Sequence, residues 1–378
     1  MYTPGQEGKD KDSVALYTGA VLNDVPVPFF LESFLQKKDV KNSLWNLFQG
    51  ASGDVPLDFL RSTSDPQEAD FLLLPHDYNF LEKTGNLQLV SEFVTLAKTH
   101  GKKILVFAMG DSDGHIDVPH SFVIRYSQYK YKKRENEIIA PPYLPIFKTS
   151  GLEEYRRKTW ENLILRHKRE KPTVSFYGWA DFPSLYRKCT YACRVLFSDL
   201  KKHLFFDKHA DLHKPGIYFR RKAIETLAKS SLLKTDFFMR KSFFSKGGRD
   251  GRDVINAKDV EQSYVQSILE SDFVLAPKGM GNTSTRFFEA LSLGRMPVLV
   301  DTDYVFPLAK HIDYSKFVLS VDHSRMKDLE STIVNFYNSL SDEEYKKRQK
   351  MARDAFLSLR PGAFLKTVLF ELKEGQLK

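Results

Sequence analysis

The sequence predicts an α/β protein built on parallel sheets, on three observations. Short β-branched and aromatic runs alternate with longer helical patterns, and glycines and prolines punctuate the changes. The 378 residues, 42% hydrophobic and 13% aromatic, suffice for two cores of ordinary domain size.

In the first half, Val14 to Tyr17, Phe71 to Leu74, Ile104 to Phe107 and Phe122 to Arg125 read as strands. In the second, Val174 to Tyr177, Phe273 to Ala276, Pro297 to Val300 and Phe317 to Val321 do the same, with a helix from about Asp259 to Glu270. Between the halves, Glu153 to Lys171 is strongly basic and carries Tyr155, Trp160, Leu163 and Ile164 at helical spacing before Pro172. A helix and the domain boundary are expected there, giving domains at residues 1–170 and 171–340 and a helical tail at 341–378 that breaks at Pro361-Gly362. The glycine-rich stretch Gly247 to Asp253 reads as a solvated loop or a cleft-edge loop.

Lys and Arg number 57 against 48 Asp and Glu, a formal charge of +9, so the surface attracts anions: nucleotide diphosphates, acidic glycans, lipid headgroups or nucleic acid. No helix-turn-helix, RNP-type or zinc pattern is present, and nucleic acid is not expected as a partner. The basic, tyrosine-interleaved run Arg125 to Arg134 fits a solvated loop, or a grip on single-stranded nucleic acid, an anionic glycan or a membrane face. The two cysteines, Cys189 and Cys193, lie four apart in a helical pattern and face the same way, with no disulfide framework, which suits a reducing compartment. No apolar run reaches the roughly 18 residues of a membrane span, and Met1 to Asp12 is polar, so a cytoplasmic, membrane-peripheral protein is expected. A Golgi-lumenal origin would require an anchor that this sequence lacks.

The chemistry concentrates in Phe273 to Leu308, FVLAPKGMGNTSTRFFEALSLGRMPVLVDTDYVFPL. An apolar strand runs into the loop Lys278, Gly279, Met280, Gly281, Asn282, and Thr283, Ser284 and Thr285 stand where a helix begins. Glycines let backbone N–H groups approach a phosphate, and the positive end of the helix dipole favours one. Phe287, Phe288 and Leu291 form the helix's apolar stripe, with Arg286 and Glu289 on another face at i,i+3. Taken singly, those two fit a surface ion pair worth about 0.2–0.5 kcal/mol. Glu289, however, lies too far along to complete a capping box from any of Thr283 to Thr285. The sequon Asn282-Thr283-Ser284 falls inside this loop, where a glycan would block an anion site, so a secretory home is not expected.

The segment also resembles the C-terminal signature of the exostosin-like glycosyltransferases (the GT47 type). The residues carrying the resemblance are Ser271-Asp272-Phe273-Val274-Leu275-Ala276-Pro277-Lys278-Gly279, Arg286-Phe287-Phe288-Glu289-Ala290, Gly294, Pro297-Val298 and Asp303-Tyr304-Val305-Phe306-Pro307. Ile312 to Phe317 and the PTVSFYG strand Pro172 to Gly178 are similar to further family elements, so the resemblance covers about Pro172 to Val321. Leu308 and Arg295 stand where the family usually has Phe and Cys.

The resemblance implies a GT-B enzyme, two Rossmann-like domains facing across a cleft, that moves a sugar from a nucleotide diphosphate donor, UDP-sugar in the first instance, to a glycan or glycolipid hydroxyl. Glu289 would hold the ribose. Arg286, Lys278, Gly279, Gly281, Asn282, Thr283, Ser284 and Thr285 would meet the diphosphate. Arg220, Arg221 and Lys222 open a helix; Arg221 would reach the diphosphate from the other side, or the three form an ordinary basic surface. In such a fold the N-terminal domain supplies a general base, and Asp113, then Asp77, are the candidates, each after a strand end. His76 and His115 would hold acceptor hydroxyls or be solvated. Asp111-Ser112-Asp113 and Asp301-Thr302-Asp303 spell D-x-D, but neither falls where a diphosphate-bound metal is needed, so no metal or other cofactor is expected. Transfer aided by a general base is expected to invert the anomeric carbon. A fucosyltransferase-like enzyme with a GDP-sugar donor and a non-catalytic glycan-binding protein on the same fold are the alternatives.

Overall fold

The computed structural model describes residues 12–36, 56–142, 162–182, 184–240 and 257–376. The loop Gly247 to Asp253 and the first part of the expected helix at 153–161 lie outside them. The chain divides into two units, one of Met1–Pro145, Val305–Leu308 and Ser358–Lys378, the other of Ile146–Tyr304 and Ala309–Leu357.

The first unit holds strands β1 (Val14–Tyr17), β2 (Leu60–Ser62), β3 (Phe71–Leu73), β4 (Lys103–Ala108), β5 (Ser121–Arg125) and β6 (Glu137–Ile139), with helices α1 (Tyr78–Thr84) and α2 (Leu87–His100) between β3 and β4. All its pairings are parallel, in the order β2-β1-β3-β4-β5-β6. The core joins Leu72, Leu74, Ile104, Val106 and Val123 of the strand segments to Leu81, Phe93 and Ala97 of the helices.

The second unit holds β7 (Thr173–Trp179), α3 (Leu185–Leu204), α4 (Gly216–Leu227), β8 (Lys234–Arg240), α5 (Ala257–Leu269), β9 (Phe273–Leu275), α6 (Thr285–Ser292), β10 (Met296–Asp301), β11 (Leu319–Asp322), α7 (Leu329–Ser339) and α8 (Asp342–Ser358). Its sheet is also wholly parallel, ordered β11-β10-β9-β7-β8. Burial along nearly all of β7, β9 and β10 is what a parallel sheet covered on both faces requires. Two Rossmann-like parallel layers thus realise the α/β class expected from the sequence. The last helix, α9 (Pro361–Lys373), belongs to the first unit and packs on β1. Proline at its first turn needs no N–H partner, and Lys373 Nζ ties its far end to the Ser13 carbonyl at 2.8 Å and to Asp70 at 3.0 Å.

Two expectations change. Residues 162–172 are irregular and extended, because side chains of the second unit take the backbone groups a helix would have paired. Gln349 accepts from the Arg166 N–H at 2.8 Å and donates to its carbonyl at 2.9 Å, while Asp342 and the Tyr337 hydroxyl accept from the N–H groups of Lys168 and Arg169. The Arg166 guanidinium meets Asp272 at 2.8 Å, and that carboxylate also accepts from Tyr345 and from the Thr173 N–H. The second change is that β2, β6 and β8 are strands the sequence does not mark. The first two have three residues each, and β8 is an edge strand whose Lys234, Asp236 and Arg240 dilute the apolar pattern.

Candidate active site

In the second sheet β7 pairs with β8 on one side and β9 on the other, so chain connections run in opposite directions from the β7/β9 pair. Open parallel sheets bind ligands beyond the carboxyl ends of such a pair. The loop from Ala276 to Ser284 and the turn after Trp179 sit there.

Much of that loop is engaged in holding itself. The Gly279 N–H donates to the Thr283 carbonyl at 2.7 Å. Lys278 turns its amine inward, to the Leu212 carbonyl at 2.5 Å and over the Phe219 ring at 5.3 Å. Asn282 is buried, donating to the Asp303 carbonyl at 3.1 Å and accepting from Thr302 Oγ1 at 2.6 Å. Its amide is therefore part of the fold, and the sequon is closed to a glycan. Thr283 is buried and Thr285 half-buried at the first position of α6. Ser284 is the N-cap in extended conformation, yet its Oγ makes no cap bond. That oxygen is buried without a hydrogen-bond partner among the described residues, at the end of the helix where an anion is favoured.

Arg286, the second residue of α6, leans onto β7. Its Nε donates to the Tyr177 carbonyl at 3.1 Å, and its guanidinium lies over the Phe176 ring at 4.6 Å. The space it uses is the missing side chain of Gly178: a Cβ there would stand 1.8 Å from Nη2. Arg240, the last residue of β8, stacks on the Tyr177 ring at 5.3 Å. Burial chiefly pushes its guanidinium below the ordinary arginine range; the Tyr177 hydroxyl acts the other way, and the Arg286 charge adds to the lowering. Its Nε is buried and makes no hydrogen bond among the described residues.

Glu289 is buried and makes no ion pair with Arg286 among the described residues, which sets aside the surface-pair reading. The Tyr264 hydroxyl of α5 donates to its Oε2. Burial, then the neighbouring carboxylate, push that phenol well above its ordinary range, so it stays a donor and fixes the direction of the carboxylate. Two guanidinium groups and one oriented carboxylate lie together at the carboxyl end of the parallel sheet, a set whose chemistry suits a group carrying both phosphate and hydroxyls. Arg240, Tyr264 and the space at Gly178 escape the sequence reading. The signal available was a cation ending an aromatic strand and the glycine of FYG.

Arg220 and Arg221 part company. Arg220 is buried and pins the loop, donating to the Trp179 carbonyl at 3.0 Å and to the Lys278 carbonyl at 3.2 Å. Arg221 faces Asp181 at 3.5 Å, Glu225 at 3.6 Å and the Phe182 ring. In the second D-x-D string, Asp301 accepts from the Tyr304 N–H at 2.8 Å and from Ser320 at 3.3 Å, and Thr302 is held by Asn282.

In the first unit, His76 and Asp77 are wholly buried. His76 Nε2 accepts from the Leu22 N–H at 2.8 Å, leaving Nδ1 to donate to the Pro26 carbonyl at 3.2 Å. The ring thus ties the chain after β1 to the chain after β3. Asp77 caps α1 through the Phe80 N–H at 3.2 Å and takes the Met109 N–H at 2.5 Å. Burial raises its carboxyl to about 6 against those hydrogen bonds. Asp113 is partly exposed and paired with Lys132 at 2.6 Å, and His115 lies exposed, 4.0 Å from Asp117. Their loop is shaped from below by Arg125, which is buried, paired with Glu137 at 2.6 Å, and donates to the Ser112 and Gly114 carbonyls. The Arg125 to Arg134 run is therefore no simple solvated loop, since its first arginine and Tyr129 are core residues.

Residues 217–336 match the family model described as the Exostosin GT47 domain. The match starts after the Pro172 to Gly178 strand, so that strand's likeness rests on its own residues. No curated protein matches the chain. Among solved structures it is similar to a glycosyltransferase from Rickettsia africae ESF-5, at 11% identity over 90% of this chain and 84% of that one, with a TM-score of 0.35. It is similar to a TarM mutant from S. aureus in complex with fondaparinux, alpha-GlcNAc-glycerol and UDP, at 12% identity, 81% and 55% coverage and a TM-score of 0.36. It is also similar to WaaG, a glycosyltransferase involved in lipopolysaccharide biosynthesis, at 10% identity, 96% and 100% coverage and a TM-score of 0.33. Such scores describe a general likeness, and the domain match assigns the class.

Proposed function

We propose that the chain transfers a glycosyl group from a UDP-sugar to a hydroxyl of a glycan or glycolipid acceptor, with inversion and without a metal ion. The observation that carries the proposal is the pairing of Arg240 and Arg286 beside the Tyr264–Glu289 couple. Cleavage of the bond between the anomeric carbon and the phosphate oxygen leaves negative charge on the diphosphate. Two guanidinium groups and the N-terminus of α6, with Ser284 Oγ as a donor, are suited to receive it. Glu289, with one oxygen fixed by Tyr264, has further lone pairs for two ribose hydroxyls. The acceptor hydroxyl must lose a proton as its oxygen attacks, and Asp113 is proposed to take it, being the more exposed of the two candidate carboxylates. Asp77 is assigned a positioning role through its cap and its bond to Met109.

Calorimetry and thermal melting with UDP, GDP and other nucleoside diphosphates test the donor site. A ligand at a hundred times its Kd raises stability by about 2.7 kcal/mol. UDP is expected to do so, and Glu289→Ala to lose the effect with its fold intact. Stabilisation by no nucleoside diphosphate would overturn the transferase reading, and stabilisation by GDP alone would overturn the choice of base. Transfer abolished by a chelator and restored by manganese would refute metal independence.

A further inference from the structure

We infer that α3, with the two phenylalanines that follow it, is a docking surface for an anionic lipid bilayer. The helix is mounted with its apolar stripe away from the protein. Leu185, Leu196, Phe197, Leu200 and Leu204 fall within one third of the helical circumference and are 51–80% exposed. The opposite side makes the contacts with the rest of the unit: Ser198 Oγ to the Ala210 carbonyl at 2.6 Å, Lys214 to Asp199 at 2.7 Å, Lys202 to Asp211, and the Tyr191 ring against Phe182 at 4.9 Å. Ser198 is the only residue of α3 that is fully buried. A helix stabilised by core packing would have the reverse arrangement.

The end of the helix extends the same surface. Phe205 and Phe206 are 75% and 87% exposed, and Phe206 adopts φ +52°, a left-handed conformation that a bulky side chain rarely takes. Two adjacent aromatic rings in water, one on an uncommon backbone, are typical of side chains that enter an interface.

Charge selects the occupant. The helix carries Arg187, Lys188, Arg194, Lys201 and Lys202 against the single carboxylate Asp199, which is already paired with Lys214. Arg187, Lys188, Arg194 and Lys201 have no carboxylate partner among the described residues. Arg187, Arg194 and Lys201 line one border of the stripe, and Lys201 extends over the Phe197 ring at 4.8 Å, with its stem on the apolar face. A second copy of the helix would bring like charges together with nothing to neutralise them, whereas anionic headgroups neutralise the border while the stripe enters the acyl boundary. No helix among the described residues is long and apolar enough to cross a membrane, so α3 would lie in the interface plane.

The face contains its own reporters. Cys189 and Cys193, the chain's two cysteines, are exposed on this stripe. The unlabelled chain should float with vesicles of phosphatidylcholine containing phosphatidylglycerol, not with phosphatidylcholine alone, and should release as salt is raised. An environment-sensitive fluorophore on the two thiols should shift to the blue with the anionic vesicles. Leu196→Glu with Leu200→Glu changes only exposed positions; it should keep the melting temperature and weaken vesicle binding by roughly tenfold or more. Absence of flotation, flotation unchanged in the double variant, or thiol probes that stay in water on bound vesicles would each overturn the assignment. So would a lipid-free dimer that the double variant dissociates, since the face would then be a self-interface. None of these readouts depends on sugar transfer.

Discussion

Replacing Gly178 with alanine would drive a methyl group into the Arg286 guanidinium. The new Cβ would lie 1.8 Å from Nη2 and 2.7 Å from Cζ, so the arginine has to leave its place over Phe176 and give up its bond to the Tyr177 carbonyl. The obstruction is the far end of a flexible, partly exposed side chain, and the fold should survive. Loss of one charged hydrogen bond and one ring contact costs about 2–4 kcal/mol, partly offset by the gain of about 0.5–1 kcal/mol of alanine over glycine in a strand. Binding should suffer more. If Arg286 contacts the diphosphate, displacing it removes a charge-assisted hydrogen bond worth about 1.5–3 kcal/mol, or roughly 10- to 150-fold in Kd for UDP. Calorimetric titration of wild type, Gly178→Ala, Arg286→Ala and the double variant closes the cycle. The double variant should bind no more weakly than Arg286→Ala alone, because both changes remove the same contact. UDP affinity in Gly178→Ala within twofold of wild type would refute the diphosphate role of Arg286.

Asp77 gives a pH-dependent prediction. Its folded carboxyl titrates at about 6 against an ordinary value of 3.8, so between those values the folded state holds a proton that the unfolded chain has lost. Stability from this group is therefore greatest in acid and falls as pH rises toward 6, by about 3 kcal/mol in total. Denaturant unfolding of Asp77→Asn should lack that slope between pH 4 and pH 6 relative to wild type, and an identical slope would show that the carboxyl is not protonated by burial. Gly294→Ala should destabilise by about 1–3 kcal/mol, since φ is +66° and the Cβ would meet Leu163 Cδ1 at 2.5 Å. An unchanged melting temperature there would contradict the packing of the 162–172 segment on the second unit.

The long buried strands and the strand-loop-helix from Phe273 onward were legible because a parallel sheet writes itself as continuous apolar runs, and a loop that approaches an anion needs glycine and hydroxyl residues at fixed places. What was not legible is what topology brings in from a distance. Tyr264 lies 25 residues before the Glu289 it orients, and Arg286 reaches 109 residues back to Tyr177. Neither spacing has a local signature. Local pattern also misjudged availability: Lys278, Asn282 and the Gly279 N–H look like phosphate ligands in sequence and are bonded within the fold. The α3 stripe marks the same boundary from the other side. Its periodicity is that of any amphipathic helix, and a 3.6-residue repeat does not state which way its apolar face points. Direction is set by Ser198, Asp199 and Lys202, polar residues whose partners at Ala210, Asp211 and Lys214 hold the opposite face inward. These contacts, with Tyr191 against the Phe182 ring at 4.9 Å, keep the opposite face inward, so an ordinary-looking core stripe becomes a surface, and charge on its border decides which surface it can meet.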